Sequence, residues 1–178
     1  MNLSMSVIGF FHTIACVLAL GLGACLMVAR KGTPQHRRLG DGYTGAILFL
    51  SVTSLTIYTR HAFTAAHWFA VIAIVLSLAG FALGRWHGRG EAWKYAHIFC
   101  MVGSYYVLIG GGVNEVFLRV NSLRPLFRTN PVVVGETHGL VMLVFLILIL
   151  VFMAATAISR LRLTPRLRRN SRLVAKAA

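Results

Sequence analysis

The chain has 178 residues, of which 57% are hydrophobic and only 12% are charged, and its formal net charge is +14. Soluble domains have about twice that share of charged residues, so this composition excludes an ordinary soluble enzyme. The basic residues stand between long apolar segments rather than along one polar surface, which argues against a nucleic-acid-binding protein. We therefore expect one compact bundle within a lipid bilayer and no separate soluble domain.

Five apolar segments meet or approach the length that crosses a bilayer as a helix, which is about 20 residues. They span residues 5–29, 43–59, 64–84, 95–118 and 138–158. Together they predict an all-α integral membrane protein with an up-down four-helix transmembrane bundle and a peripheral fifth transmembrane helix.

The predicted boundaries follow from the segments and their flanking residues. The four helices of the core, residues 1–136, are expected at about 5–29, 35–59, 64–84 and 92–118. Thr33 followed by Pro34 predicts an N-cap and a first helical residue for the second helix. The fifth helix, residues 137–159, is apolar all round, a pattern typical of a helix that faces lipid.

The basic residues predict the orientation in the membrane. Of the 18 Lys and Arg residues, 14 follow the first, third or fifth apolar segment, and such residues stay on the cytoplasmic side. The N-terminus is therefore expected outside and the C-terminus inside. The basic tail, residues 160–178, either lies along the anionic lipid of the inner leaflet or is a disordered segment that fixes the topology.

Histidines within or beside the apolar segments are the first candidates for function, because ionisable groups are costly inside a bilayer. His12 and His67 fall in the outer halves of the first and third segments, as judged from the helical rise. His36 and His97 fall near the inner ends of the second and fourth helices. In an up-down bundle the first and third helices are diagonal partners, and so are the second and fourth.

Each diagonal pair thus places two imidazoles at one depth, the arrangement of the axial ligands of a b-type haem in a dry helical interior. This pattern predicts an electron-transfer protein with an outer haem bound by His12 and His67. An inner haem would be bound by His97 with His36 or with Met101. A quinone or a partner redox protein would exchange electrons with it. His36 fits least well, because it lies at the start of its helix.

A second hypothesis is an outer-facing metal or proton site. His12, His67 and His138 could converge there with Glu115 or Glu136, and nitrogen and carboxylate ligands suit zinc or iron. Two simpler explanations remain open for the carboxylates. Glu115 precedes Arg119 by four residues, the spacing of an ordinary helical ion pair, and Glu136 stands at the start of a helix, where negative charge is favourable.

A third hypothesis is a non-catalytic membrane subunit of a larger complex. Glycines at residues 21 and 23 and at residues 110–112 allow close approach of another helix.

Three segments also carry a resemblance. Residues 34–40 read Pro-Gln-His-Arg-Arg-Leu-Gly, residues 63–67 read Phe-Thr-Ala-Ala-His, and His97 precedes Met101 by four residues, with Tyr105 and Tyr106 following. They resemble a bacterial family of four-helix inner-membrane proteins with no assigned function. The resemblance covers about residues 5–120 and implies a multi-pass protein of a bacterial inner membrane, without implying an activity.

A looser similarity, of architecture only, is to the four-helix di-haem b-type cytochromes. It implies His12, His67, His36 and His97 as iron ligands.

Overall fold

The computed structural model describes residues 7–56, 65–86 and 92–177, and these residues contain helices and no strand. The helices are α1 (Val7–Val28), α2 (Pro34–Thr56), α3 (Ala65–Arg85), α4 (Ala92–Arg119), α5 (Leu126–Thr129) and α6 (Pro131–Ala177). The prediction of an all-helical chain is confirmed. The ends of the first four helices that do not border undescribed residues are Val28, Pro34, Arg85 and Arg119, and each lies within one residue of the predicted boundary.

Among the described residues, four helical segments are long and apolar enough to cross a membrane. They are Val7–Val28, His67–Arg85, Ala92–Phe117 and Pro131–Ala155. These segments support a multi-pass membrane protein. Helix α2 is not one of them, because its first two turns contain polar residues, among them Arg37, Arg38 and Asp41. Residues 57–64, with the end of the second predicted span, lie outside the described residues, so that span stays a prediction.

The residues between α1 and α2 explain how the first helix ends and the second begins. Gly32 has a φ of 81°, a left-handed conformation that favours glycine. The Lys31 ammonium donates to the Leu26 and Met27 carbonyls at the end of α1. The Thr33 hydroxyl accepts a hydrogen bond from the His36 amide at 3.2 Å. The predicted N-cap at Thr33 is therefore confirmed, with Pro34 as the first residue of α2.

Helices α1 to α4 form a ring in which α1 packs on α2, α2 on α3, α3 on α4 and α4 on α1. Helices α1 and α3 are therefore diagonal partners, as are α2 and α4. The contacts also show that neighbours are antiparallel, since the start of α1 meets the end of α2 through His12 and Thr53. The end of α3 likewise meets the start of α4 through Gly80 and His97.

The centre of this bundle is filled by tyrosines. Tyr43 is 1% exposed, and its hydroxyl lies 2.9 Å from the Ser104 hydroxyl across the diagonal from α2 to α4. Tyr105 packs against Gly23 and donates a hydrogen bond to the Leu20 carbonyl at 3.2 Å. This packed centre separates two ends of the bundle. We call them the His12 end, which also holds His67, and the His36 end, which also holds His97.

The chain divides into two compact units, Met1–His138 and Gly139–Ala178. The first unit contains the bundle and the start of α6. The second contains the rest of α6, which stays helical through the basic tail as far as Ala177. The lipid-facing position of the fifth helix and the orientation of the chain remain predictions.

Candidate functional sites at the two ends of the bundle

His12 is the most enclosed ionisable group at the His12 end, with 3% of its surface exposed. Helix α1 presents it to α2 on one side and to α4 on the other. Its Nδ1 lies 2.8 Å from the Thr53 hydroxyl, and its Nε2 lies 3.6 Å from Oε1 of Glu115. Both ring nitrogens thus face an oxygen atom of a different helix.

The Thr53 hydroxyl determines which nitrogen of His12 carries a proton. Its oxygen lies 2.9 Å from both the Phe49 and the Leu50 carbonyls, so its single proton is donated to the backbone of α2. The hydroxyl must then accept from His12, which places a proton on Nδ1. In a neutral imidazole, Nε2 consequently presents its lone pair to Glu115.

Glu115 is also bound on its other side. Its Oε2 accepts a hydrogen bond from Nε of Arg119 at 2.5 Å, which confirms the ion pair expected from the four-residue spacing. Arg119 in turn donates to the Gly9 carbonyl of α1 at 3.4 Å. The carboxylate is therefore fixed between α1 and α4.

A cavity of about 60 Å³ opens beside these groups, between α1, α2, α3 and α4. Its polar lining comes from side chains of three helices, and most of the remaining wall is apolar or small. The polar side chains are those of His12, Ser51, Ser54, Asn114 and Glu115. Cys16, Ala70, Ala73, Gly111 and Gly112 are among the small residues of the wall.

His67 is also buried at this end, with 4% of its surface exposed, as expected for a residue that faces the bundle interior. It does not line the cavity, whereas Phe69, two residues along α3, does. The His138 ring stacks on Phe69 with a centroid separation of 5.9 Å and an interplanar angle of 3°. Glu136 is exposed.

Within the part of the chain that the structure describes, no three His, Cys, Asp or Glu residues come close enough to hold a metal ion. The cluster of three histidines and one carboxylate proposed from the sequence is thus not assembled. The structure brings His12 and Glu115 together and leaves His138 on Phe69.

At the His36 end, His97 packs against α3. Its Nδ1 lies 2.7 Å from the Gly80 carbonyl, so Nδ1 is the protonated nitrogen and Nε2 has the lone pair. A Cβ added at Gly84 would lie 2.9 Å from the His97 ring. The glycine therefore allows the ring to approach the backbone of α3.

His36 is half-buried in the first turn of α2, whereas its neighbours Arg37 and Arg38 are exposed. Its Nδ1 is a buried nitrogen that has no hydrogen-bond partner among the described residues. His36 and His97 lie near the starts of the diagonal helices α2 and α4, and therefore at the same end of the bundle. Met101 packs its sulfur against Gly80 of α3.

Sequence reasoning missed Thr53 and the ion pair between Asp41 and Arg85, whose side chains meet at 2.6 Å at the His36 end. Whether Thr53 or its neighbour Ser54 faces His12 depends on the rotation of the second helix about its axis. A one-residue difference on a helix is a rotation of about 100°, and the sequence did not determine that rotation.

Comparisons of the chain with protein-family models, with curated proteins and with solved structures found no match. The resemblance to the bacterial four-helix family therefore stays a prediction.

Proposed function

We propose that this chain is a membrane-embedded electron-transfer protein that holds one b-type haem between His36 and His97. The main support is the state of the donor atoms at the His36 end. His36 has a buried ring nitrogen without a hydrogen-bond partner among the described residues. His97 has a lone pair on Nε2, because its Nδ1 donates to Gly80.

The residues at this end suit the chemistry of such a ligand pair. Metal-bound histidines commonly donate their second ring nitrogen to a carbonyl, which fixes the ring and raises its basicity, and His97 has this partner in Gly80. The two histidines come from the diagonal helices α2 and α4. Exposed Arg37 and Arg38 offer guanidinium groups for carboxylates such as propionates. A bound haem would supply a one-electron iron couple.

The His12 end fits a haem less well. Nε2 of His12 already faces Glu115 at 3.6 Å, and the adjacent cavity measures about 60 Å³. An apolar cavity that admits benzene measures about 150 Å³, so the cavity beside His12 is smaller than a porphyrin requires. We therefore do not place a haem between His12 and His67.

The proposed orientation follows the basic residues. The exposed arginines and lysines at the His36 end, together with the basic residues of the tail sequence, favour a cytoplasmic location for this end in a bacterial inner membrane. A haem near that surface would exchange electrons with a partner redox protein or with a quinone. The same basic residues would attract anionic lipid.

The absorption spectrum of the full chain, purified in detergent from a haem-replete host, tests this proposal. We expect a red protein with a Soret band and a reducible alpha band. His97→Ala and His36→Ala should lose most of the haem, because each removes an axial ligand. His138→Ala is the matched control and should keep it, since that ring stacks on Phe69 at the other end.

Two results would contradict the proposal. A colourless wild-type protein that is folded and monodisperse would exclude a bound haem. Loss of haem in His12→Ala, with full haem in His97→Ala, would show that the haem lies at the other end of the bundle.

A further inference from the structure

The cavity at the His12 end has the properties of a space that water fills. Its volume of about 60 Å³ is several times the ~10–15 Å³ that one ordered water needs. Polar side chains of α1, α2 and α4 line it, and the serines of α2 are Ser51 and Ser54. Cavities with several polar partners hold water, whereas purely apolar ones stay dry. We therefore expect this cavity to be hydrated.

Glu115 connects the cavity with the outside of the bundle. Its side chain is 30% exposed, whereas the His12 side chain is 4% exposed, and both line the same cavity. Glu115 lies one turn before the end of α4 at Arg119, so the entry is close to the end of the bundle. Water that enters beside Glu115 thus reaches a histidine that is otherwise enclosed.

His12 presents a proton acceptor to this water. Its Nδ1 donates to the Thr53 hydroxyl at 2.8 Å, because that hydroxyl donates its own proton to the backbone of α2. The lone pair of the neutral imidazole is therefore on Nε2. Nε2 lies 3.6 Å from Oε1 of Glu115, which is too far for a direct hydrogen bond. A water molecule beside them can donate one proton to each atom.

The charged and titratable groups around His12 nearly balance. Helix α4 contributes Glu115 and Arg119, which neutralise each other in an ion pair. Helix α1 contributes Cys16, α3 contributes the buried His67, and the described residues of α2 contribute no charged side chain at this end. Arg119 binds Oε2, so the carboxylate turns Oε1 towards His12. An imidazolium at this position would face the negative side of the ion pair and the cavity water.

We propose that this cavity is a hydrated proton-binding site, in which water delivers a proton to Nε2 of His12. The donor is a hydronium ion in the cavity water. An N–H bond forms on Nε2 as an O–H bond of hydronium breaks, which leaves a water molecule and adds one positive charge to the buried end. Glu115 and Arg119 stay paired throughout. The site uses none of the residues assigned to haem, so it is independent of the proposed electron-transfer function.

Nitrogen NMR of the full-length protein in detergent, labelled with ¹⁵N in its seven histidines, tests the site. The ring shifts distinguish the two neutral tautomers from the doubly protonated ring, and His12→Gln identifies the signal of His12. We expect the Nδ1–H tautomer at about pH 8 and the doubly protonated ring at about pH 5, on either side of the range in which histidines titrate. Thr53→Val should lose the preference for the Nδ1–H tautomer, because it removes the accepting hydroxyl and keeps the size of the side chain.

Gly111→Leu tests the role of the water. Gly111 lines the cavity, and a Cβ built there meets no atom within 4 Å, so a leucine side chain has room to replace water with apolar atoms. Transfer of magnetisation from water to the His12 ring should occur in the wild type and be lost in this variant, and His12 should then stay neutral at about pH 5. Gly45→Leu is the matched control, because a Cβ at Gly45 also meets no atom within 4 Å and Gly45 does not line the cavity. Each variant is first shown to be helical and monodisperse.

The proton site is refuted if His12 of the folded wild type stays neutral at about pH 5. Absence of magnetisation transfer from water in the wild type would refute the hydration of the cavity. Equal protonation of His12 in Gly111→Leu and wild type would show that the proton arrives by another route, and this would overturn the role of the cavity. The haem spectrum recorded on the same samples reports separately on His36 and His97, so failure of one proposal is distinguishable from failure of the other.

Discussion

At the scale of single residues, the packing of the bundle centre depends on Gly23. A Cβ at this position would overlap the ring of Tyr105 and lie 3.2 Å from the ring of Tyr43. Both rings are held by hydrogen bonds, to Leu20 and Ser104 respectively. They cannot move aside without breaking those bonds, so the glycine is required by close packing rather than by its backbone conformation.

We therefore expect Gly23→Ala to lower the free energy of unfolding by about 1–3 kcal/mol, the usual cost of overpacking a core. Thermal unfolding in detergent measures the change. Gly21→Ala is the matched control, because a Cβ at Gly21 meets no atom within 4 Å. That variant should be neutral or slightly more stable, since alanine favours a helix by about 1 kcal/mol over glycine. Equal stability of the two variants would contradict this account.

The same scale explains how the two candidate sites differ. His12 and His97 each donate Nδ1 to a fixed oxygen, Thr53 in one case and the Gly80 carbonyl in the other. Nε2 of His12 then faces the Glu115 carboxylate of α4, whereas His97 lies at the end of the bundle that holds His36. The same residue type therefore has a different neighbour at each end of the bundle.

At the scale of helices, the contact between α3 and α4 positions His97. Gly80 and Gly84 lie one turn apart on α3, and they face Met101 and the His97 ring on α4. The absence of side chains at both positions lets α4 approach closely enough for His97 to reach the Gly80 carbonyl. Small residues serve this purpose widely in membrane helix pairs.

Gly84→Ala should for this reason displace the His97 ring and reduce the haem content of the purified protein several-fold, while the helix content is retained. The ratio of Soret to protein absorbance measures the occupancy. Gly45→Ala on α2 is the comparison, because a Cβ there meets no atom within 4 Å and should not change the spectrum. If Gly84→Ala leaves the haem content unchanged, haem binding does not depend on the present position of the His97 ring.

At the scale of the whole molecule, the distribution of charge predicts the orientation. The His36 end contains Arg30, Lys31, Arg37, Arg38 and Arg85, and seven further basic residues follow the fifth apolar segment in the sequence. Because basic residues near a helix end resist translocation, the His36 end is expected at the cytoplasmic surface and the His12 end at the opposite one.

Reporter fusions at Ala178 test this orientation. A green fluorescent protein at the C-terminus should fluoresce, whereas alkaline phosphatase at the same position should be inactive, since it requires the periplasm. The reverse result would place the His12 end on the cytoplasmic side. It would leave the geometry of both sites unchanged.

The helices were predictable, and so was the end of the bundle at which each histidine lies. Both depend on local sequence and on position along a helix. A run of about 20 apolar residues is long enough to span a bilayer as a helix, and the rise per residue places His12 and His67 at one end and His36 and His97 at the other. The N-cap at Thr33 was readable for a similar reason, since capping involves residues three positions apart.

Only the tertiary structure decided which groups these histidines meet. His12 pairs with Thr53, 41 residues away, and with Glu115 on α4. These pairs depend on the rotation of each helix about its axis. In a helix that is apolar on most sides the hydrophobic pattern does not determine that rotation. Close packing determines it instead, as where Gly23 admits Tyr105 and Gly84 admits His97. The sequence therefore determined a helical membrane bundle with histidines at both ends, and packing between distant segments determined the partner of each imidazole.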